Sequence, residues 1–199
     1  MLFPVLPMVA SEPSRCTRRP GAPGALRPCL AVIPANDNFA DAESVSGAFG
    51  VTEGKYTLAT AELNEPALLT DAPATALNSV WWRWRAPSDW NSTASRLFVV
   101  STEGHEMDSL LEPHLDVFHG NSLATLTRIS TSTTVAGQLC PRPPSYTSYA
   151  WSCVALQASS IVASQDYYFR VTGDSDELFR VYPWDDLYFA LRWWTVAGA

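Results

Sequence analysis

Along the chain, apolar and polar positions alternate in short runs. The clearest run is Ser79-Val80-Trp81-Trp82-Arg83-Trp84-Arg85-Ala86-Pro87. Val80, Trp82, Trp84 and Ala86 fall on one face and Trp81, Arg83 and Arg85 on the other. A period of two is the mark of a strand with one buried face. Pro87 ends it, because proline cannot donate to a ladder. Further strands are predicted over 95–101, 115–119, 125–131, 151–156, 167–172 and 178–182. Residues 51–61 are read as one or two more strands with Gly54 at a turn. Gly120-Asn121 and Gly173-Asp174 supply turn signals. Over 36–45 a short helical turn is expected, capped by Asp37 or Asn38. No stretch holds a long 3.6-residue period. Many short strands with frequent turn residues predict an all-β chain, an antiparallel β-sandwich of the jelly-roll type. The segment 185–194 lies past the last expected strand, yet Leu187, Tyr188, Phe189, Leu191, Trp193 and Trp194 are too apolar for a free tail. It is either an added strand that folds back or a surface that docks on a partner.

Composition agrees with this pattern. The 199 residues are 17% charged and 12% aromatic, with 15 prolines and 10 glycines. Few charges and many aromatics exclude a disordered chain, and they exclude a long Glu/Lys-rich coiled coil. The formal net charge of -7 gives no footprint for nucleic acid or an anionic membrane. Charge is uneven, however. Residues 1–30 hold Arg15, Arg18, Arg19 and Arg27 against Glu12, a local +3, which leaves the rest of the chain at -10. Seven of the 15 prolines also fall by Pro34. The expected organisation is therefore a proline- and arginine-rich tail or linker over 1–33, the sandwich over 34–183, and an apolar C-terminal extension over 184–199. The apolar stretch 2–10 has no basic residue before it and is broken by Pro4 and Pro7, so it makes a poor signal peptide. No run reaches the ~20 apolar residues of a membrane helix.

The four cysteines are Cys16, Cys29, Cys140 and Cys153. No CxxC occurs and no histidine lies close to either pair, which argues against zinc. Disulfides Cys16–Cys29 and Cys140–Cys153 are the expectation. The second would close Pro141-Arg142-Pro143-Pro144-Ser145-Tyr146 and stabilise by roughly 3 kcal/mol through loop entropy. Disulfides imply an oxidising compartment, extracellular or at the cell surface. Asn91-Ser92-Thr93 is a glycosylation sequon compatible with that route.

Four segments, in order, resemble bacterial pre-peptidase C-terminal (PPC-like) domains. They are Pro34-Ala35-Asn36-Asp37-Asn38-Phe39-Ala40-Asp41-Ala42, the Trp-rich run 79–87, Leu115-Asp116-Val117-Phe118-His119-Gly120-Asn121-Ser122-Leu123-Ala124-Thr125-Leu126, and Tyr167-Tyr168-Phe169-Arg170-Val171-Thr172-Gly173. The resemblance spans about 34–183. It implies a jelly-roll sandwich from secreted or surface multidomain proteins, accompanying peptidases and adhesins without being catalytic. Some members bind calcium near the opening segment, which would make Asn36, Asp37 and Asp41 the ligands here. This chain departs from the family in a long loop insertion over 131–152, in a longer acidic stretch over 91–113, and in the Trp193-Trp194 extension.

No Gly-x-Ser-x-Gly elbow, His-Glu-x-x-His or phosphate loop occurs, so no catalysis is expected. Glu103, His105, Glu106, Asp108, Glu112, His114, Asp116 and His119 offer mixed metal donors, and Asp174, Asp176 and Glu177 offer carboxylates. The plainer reading of both sets is a solvated acidic loop. Trp82 and Trp84 belong to the core. Trp90, Tyr146, Tyr149, Trp151, Trp193 and Trp194 are the candidate contact surface for a protein partner or a glycan. The functional expectation is a non-catalytic extracellular interaction or adhesion module, or a spacer, of a larger assembly. The alternatives are a structural subunit of a filament or envelope, and a metal-dependent hydrolase around His114, Asp116 and His119.

Overall fold

The computed structural model describes residues 33–55, 58–67, 78–104, 114–131, 151–173 and 188–197. Among them are nine strands: β1 (Glu43–Val45), β2 (Gly50–Lys55), β3 (Asn78–Arg85), β4 (Arg96–Gly104), β5 (His114–His119), β6 (Thr127–Thr131), β7 (Trp151–Gln157), β8 (Asp166–Gly173) and β9 (Tyr188–Ala197). They form two sheets, in the orders β1-β3-β8-β5-β6 and β2-β9-β4-β7. The only helical pieces among the described residues are single 3-10 turns at Phe39–Asp41, Leu123–Thr125 and Ala158–Ser160. The chain is all-β with two sheets. Every described pairing is antiparallel except β1 on β3, which is parallel.

The alternation in β3 sets the first sheet. Val80, Trp82 and Trp84 pair with Val171, Phe169 and Tyr167 of β8, and all six are buried between the sheets. Trp84 stacks on Phe98 of β4 with ring centroids 4.2 Å apart and meets Trp90 edge-on at 5.7 Å. Trp82 meets Phe189 of β9 edge-on at 5.6 Å. Such offset and T-shaped pairs add attraction beyond the apolar area they bury. Two of the buried indoles also find acceptors, Trp84 on the Gly47 carbonyl and Trp90 on the Ala158 carbonyl.

Three expectations change. The boundary near 183 moves: β9 pairs with β2 on one side and with β4 on the other, so of the two readings of the apolar extension the added strand holds, and it is an inner strand of the second sheet. Its composition is the reason, since a strand with neighbours on both edges and a core on one face needs apolar residues. Gly54 is not at a turn; it sits inside β2, opposite Phe189. The helical turn near 36–45 exists as the Phe39–Asp41 turn, but no side chain caps it. The predicted strand over 178–182 lies outside the described residues.

Candidate functional site

The outer face of the first sheet carries Trp81, Arg83 and Arg85 from β3, Tyr168 and Arg170 from β8, and Asp116 and Phe118 from β5, set side by side by the registers. The opening segment roofs part of it. Asn36 and Trp81 exchange two bonds: the Trp81 N–H donates to the Asn36 carbonyl at 2.9 Å, and Asn36 Nδ2 donates to the Trp81 carbonyl at 3.0 Å. Asp37 accepts from the Thr60 N–H at 2.5 Å and from Thr60 Oγ1 at 2.8 Å. Phe39 then lies on Trp81 and Tyr168, with centroids 5.5 and 4.5 Å away. Trp81 is thereby fully buried although it points away from the main core.

Beneath this roof sits a charged network. Arg170 is 1% exposed and donates to Asp116 Oδ2 at 2.5 Å, to the Pro66 carbonyl at 2.7 Å and to Glu65 Oε2 at 3.3 Å. Its guanidinium also lies over Trp81 and Phe118, at 5.7 and 5.2 Å from the ring centroids. Arg128 pairs with the other oxygen of Asp116 at 3.2 Å. A buried guanidinium needs such partners, because removing an ion from water costs several kcal/mol. The network ties Glu65 and Pro66 to the sheet, while Arg170 Nε is buried with no hydrogen-bond partner among the described residues.

Beside it, a groove of about 380 Å³ opens between the Phe39–Asp41 turn and the Asn121–Leu123 corner. Tyr168 and Arg83 line it from the sheet, Phe39, Ala40 and Ala42 from one turn, and Asn121, Ser122 and Leu123 from the other. Arg83 and Tyr168 are opposite each other on β3 and β8. Burial pushes the Tyr168 phenol above its ordinary 10.0, Asp166 adds to this, and the Arg83 charge and hydrogen bond oppose it. Arg83 is exposed and donates to Ser44 Oγ at 2.9 Å. The neighbouring arginines have carboxylates: Arg85 has Asp166, Arg128 has Asp116, and Arg170 has Asp116 and Glu65. Arg83 pairs with no carboxylate among the described residues. Sequence reasoning did not single out Arg83, Asn121 or Leu123 as a site. The available signal was Arg83 on the outward face of a strand whose other face is tryptophan.

The expected sites fall as follows. Trp90 and Trp193 are not surface: they are 8% and 5% exposed and belong to the main core. Trp193 points inward because it lies opposite Gly50, where no side chain competes for the space. Trp194, on the other face of β9, is half-buried against Leu97, Val99 and Cys153. Trp151 begins β7. Tyr146 and Tyr149 lie outside the described residues, as do Cys16, Cys29 and Cys140. Cys153 is buried, and no free cysteine occurs among the described residues. Asn91 is exposed, and its Oδ1 accepts from the N–H and hydroxyl of Thr93. Of the calcium set, Asn36 is engaged with Trp81, Asp37 with Thr60, and Asp41 accepts from Asn38 Nδ2 at 3.3 Å. They serve the roof separately. No group of three or more His, Cys, Asp or Glu side chains suited to a metal occurs among the described residues. In the hydrolase set, Asp116 is held by two arginines while His119 lies 3.4 Å from Gln165 Nε2. His105 and Asp174, Asp176 and Glu177 lie outside the described residues. No helix among the described residues is long and apolar enough to cross a membrane.

No family model, curated protein or solved structure matches this chain.

Proposed function

We propose that this chain is a non-catalytic extracellular interaction module, a jelly-roll sandwich of the PPC-like type, that binds a protein or glycan of a larger surface or secreted assembly. The observation that carries the reading is the groove between the two turns, with Arg83 at its floor paired to no carboxylate among the described residues. The core tryptophans build the platform and the short turns present the contact residues, the usual division between a rigid sandwich and its functional loops. A disulfide between Cys140 and Cys153 and a glycan on the exposed Asn91 belong to the same extracellular reading. The filament alternative takes Trp193, Trp194 and the proline-rich loop around Pro141, Pro143 and Pro144 as its contacts. It is the weaker reading, because Trp193 is spent in the core.

The test is a binding screen of the folded chain against immobilised extracellular proteins and glycans. Saturable binding that drops at least tenfold in Arg83→Gln and in Leu123→Asp is the expected result. A blank across both panels, with a cooperative thermal transition intact, would leave a spacer and overturn the binding reading.

A further inference from the structure

The chemistry of the groove narrows its ligand. Its floor lies mid-sheet, because β3 and β8 each have strand neighbours on both sides. Their ladder groups are used, so an extended peptide cannot add as a strand there. Recognition must come from side chains. Those available are mainly donors. The Arg83 guanidinium gives one bond to Ser44 Oγ at 2.9 Å and another to the Tyr168 side chain, and its remaining N–H groups are left to give. Asn121 Oδ1 is held by Thr125 Oγ1 at 3.1 Å, which leaves its amide hydrogens to donate outward. The Tyr168 hydroxyl completes the polar set on the floor. Of the carboxylates nearby, Asp41 does not line the groove and accepts from Asn38, while Asp166 is paired with Arg85. Glu43 accepts from Thr52 Oγ1. The apolar lining is small and flat: Ala40, Ala42, the Phe39 ring and Leu123. The volume of about 380 Å³ sits at the small end of ligand clefts, roughly 300–1,000 Å³.

From this donor-rich, singly cationic groove we infer that the ligand is a short saccharide bearing a carboxylate, a uronate, whose acid group pairs with Arg83 while its ring hydroxyls meet Asn121 and Tyr168. The inference rests on the binding reading above and specifies the ligand class of that same groove. Planar guanidinium and carboxylate match in two parallel hydrogen bonds, so the acid supplies orientation as well as attraction. The ring oxygens accept from the amide and hydroxyl, and the flat apolar wall takes a sugar face.

The experiment titrates the full chain with an oligouronate, its carboxyl-reduced neutral counterpart and a sulfated neutral oligosaccharide of equal length, by calorimetry. Expected is measurable binding of the uronate, at least tenfold weaker binding of the reduced sugar, and the same loss for Arg83→Gln. Asn121→Ala loses a smaller factor. Arg85→Gln, which removes an exposed arginine already paired with Asp166, leaves binding unchanged. Thermal unfolding of each variant confirms that it folds. Equal binding of acid and neutral sugars, or no effect of Arg83→Gln, overturns the carboxylate assignment and leaves glycan binding intact. Sulfated sugar binding as tightly as uronate likewise overturns it. If no sugar binds while a protein from the screen does, the saccharide inference fails and the module reading survives.

Discussion

Gly54 of β2 and Trp82 of β3 meet across the sandwich: a Cβ at Gly54 would lie 2.7 Å from Cη2 and Cζ2 of the indole. It would also lie 2.6 Å from Cζ of Phe189. Four residues earlier on the same face, a Cβ at Gly50 would come within 2.1 Å of Trp193 Cζ2. The second sheet thus accommodates its large rings by removing side chains from β2. Gly54→Ala is expected to destabilise by about 1–3 kcal/mol through overpacking, and Gly50→Ala by at least as much. The entropy gained in the unfolded chain, about 0.4–1 kcal/mol, does not offset this. Urea midpoints of the two variants check it.

Asp116 is the hub of the buried ion network, and its loss should be costly. Among the described residues, Asp116→Ala leaves Arg170 with Glu65 as its remaining carboxylate and Arg128 with none. Breaking a buried pair from one side costs about 3–5 kcal/mol. The double variant Asp116→Leu/Arg170→Met should cost less than the two single losses added together. A double-mutant cycle measured by chemical denaturation reads this coupling.

Alkaline pH should unfold the protein earlier than its charge alone predicts. Burial raises the phenols of Tyr167 and Tyr168 above 10.0, so the fold favours their neutral forms. A phenol raised in the folded state contributes stability that is complete below its unfolded value. That contribution is lost as pH climbs through 10.0 toward the folded values. Stability measured at increasing pH should therefore begin to fall near 10.0, and Tyr167→Phe should flatten the decline. The same variant lowers stability at neutral pH, because Tyr167 accepts from the Val162 N–H at 2.7 Å and donates to the Ser160 carbonyl.

Removal of residues 188–199 should abolish the fold. β9 supplies the shared edge between β2 and β4, and Phe189, Leu191 and Trp193 are buried in the main core. The truncated chain should show no cooperative transition by circular dichroism. A truncated chain that stayed folded and lost only self-association would contradict the inner-strand role.

Many strands of both sheets were legible in order. The alternation from Val80 to Ala86 named the inward face correctly, and the strands near 96, 114, 151 and 166 were marked by local pattern. The short run Thr127–Thr131 was also read as a strand, although its buried face stayed ambiguous. Gly54 misled because glycine signals a turn in isolation, while here it makes room for a ring from another sheet. Asp37 misled in a similar way: a lone Asp before a short turn reads as a cap, but it bonds Thr60, 23 residues away. The groove was not legible, because its lining comes from four separate stretches of chain.

What the sequence by itself determined is the class: short period-two runs broken by proline and glycine can bury their apolar faces only in sheets. It also marked Trp82 and Trp84 as core, since strand alternation assigns a face without reference to any partner. Tertiary structure decided the role of each remaining aromatic. Trp193 and Trp194 are adjacent and chemically identical, yet one fills the core and the other lies on the outer face. That choice depends on the register of β9 against β2, where Gly50 leaves the space. Pairing between distant strands sets a register, and no local pattern contains it.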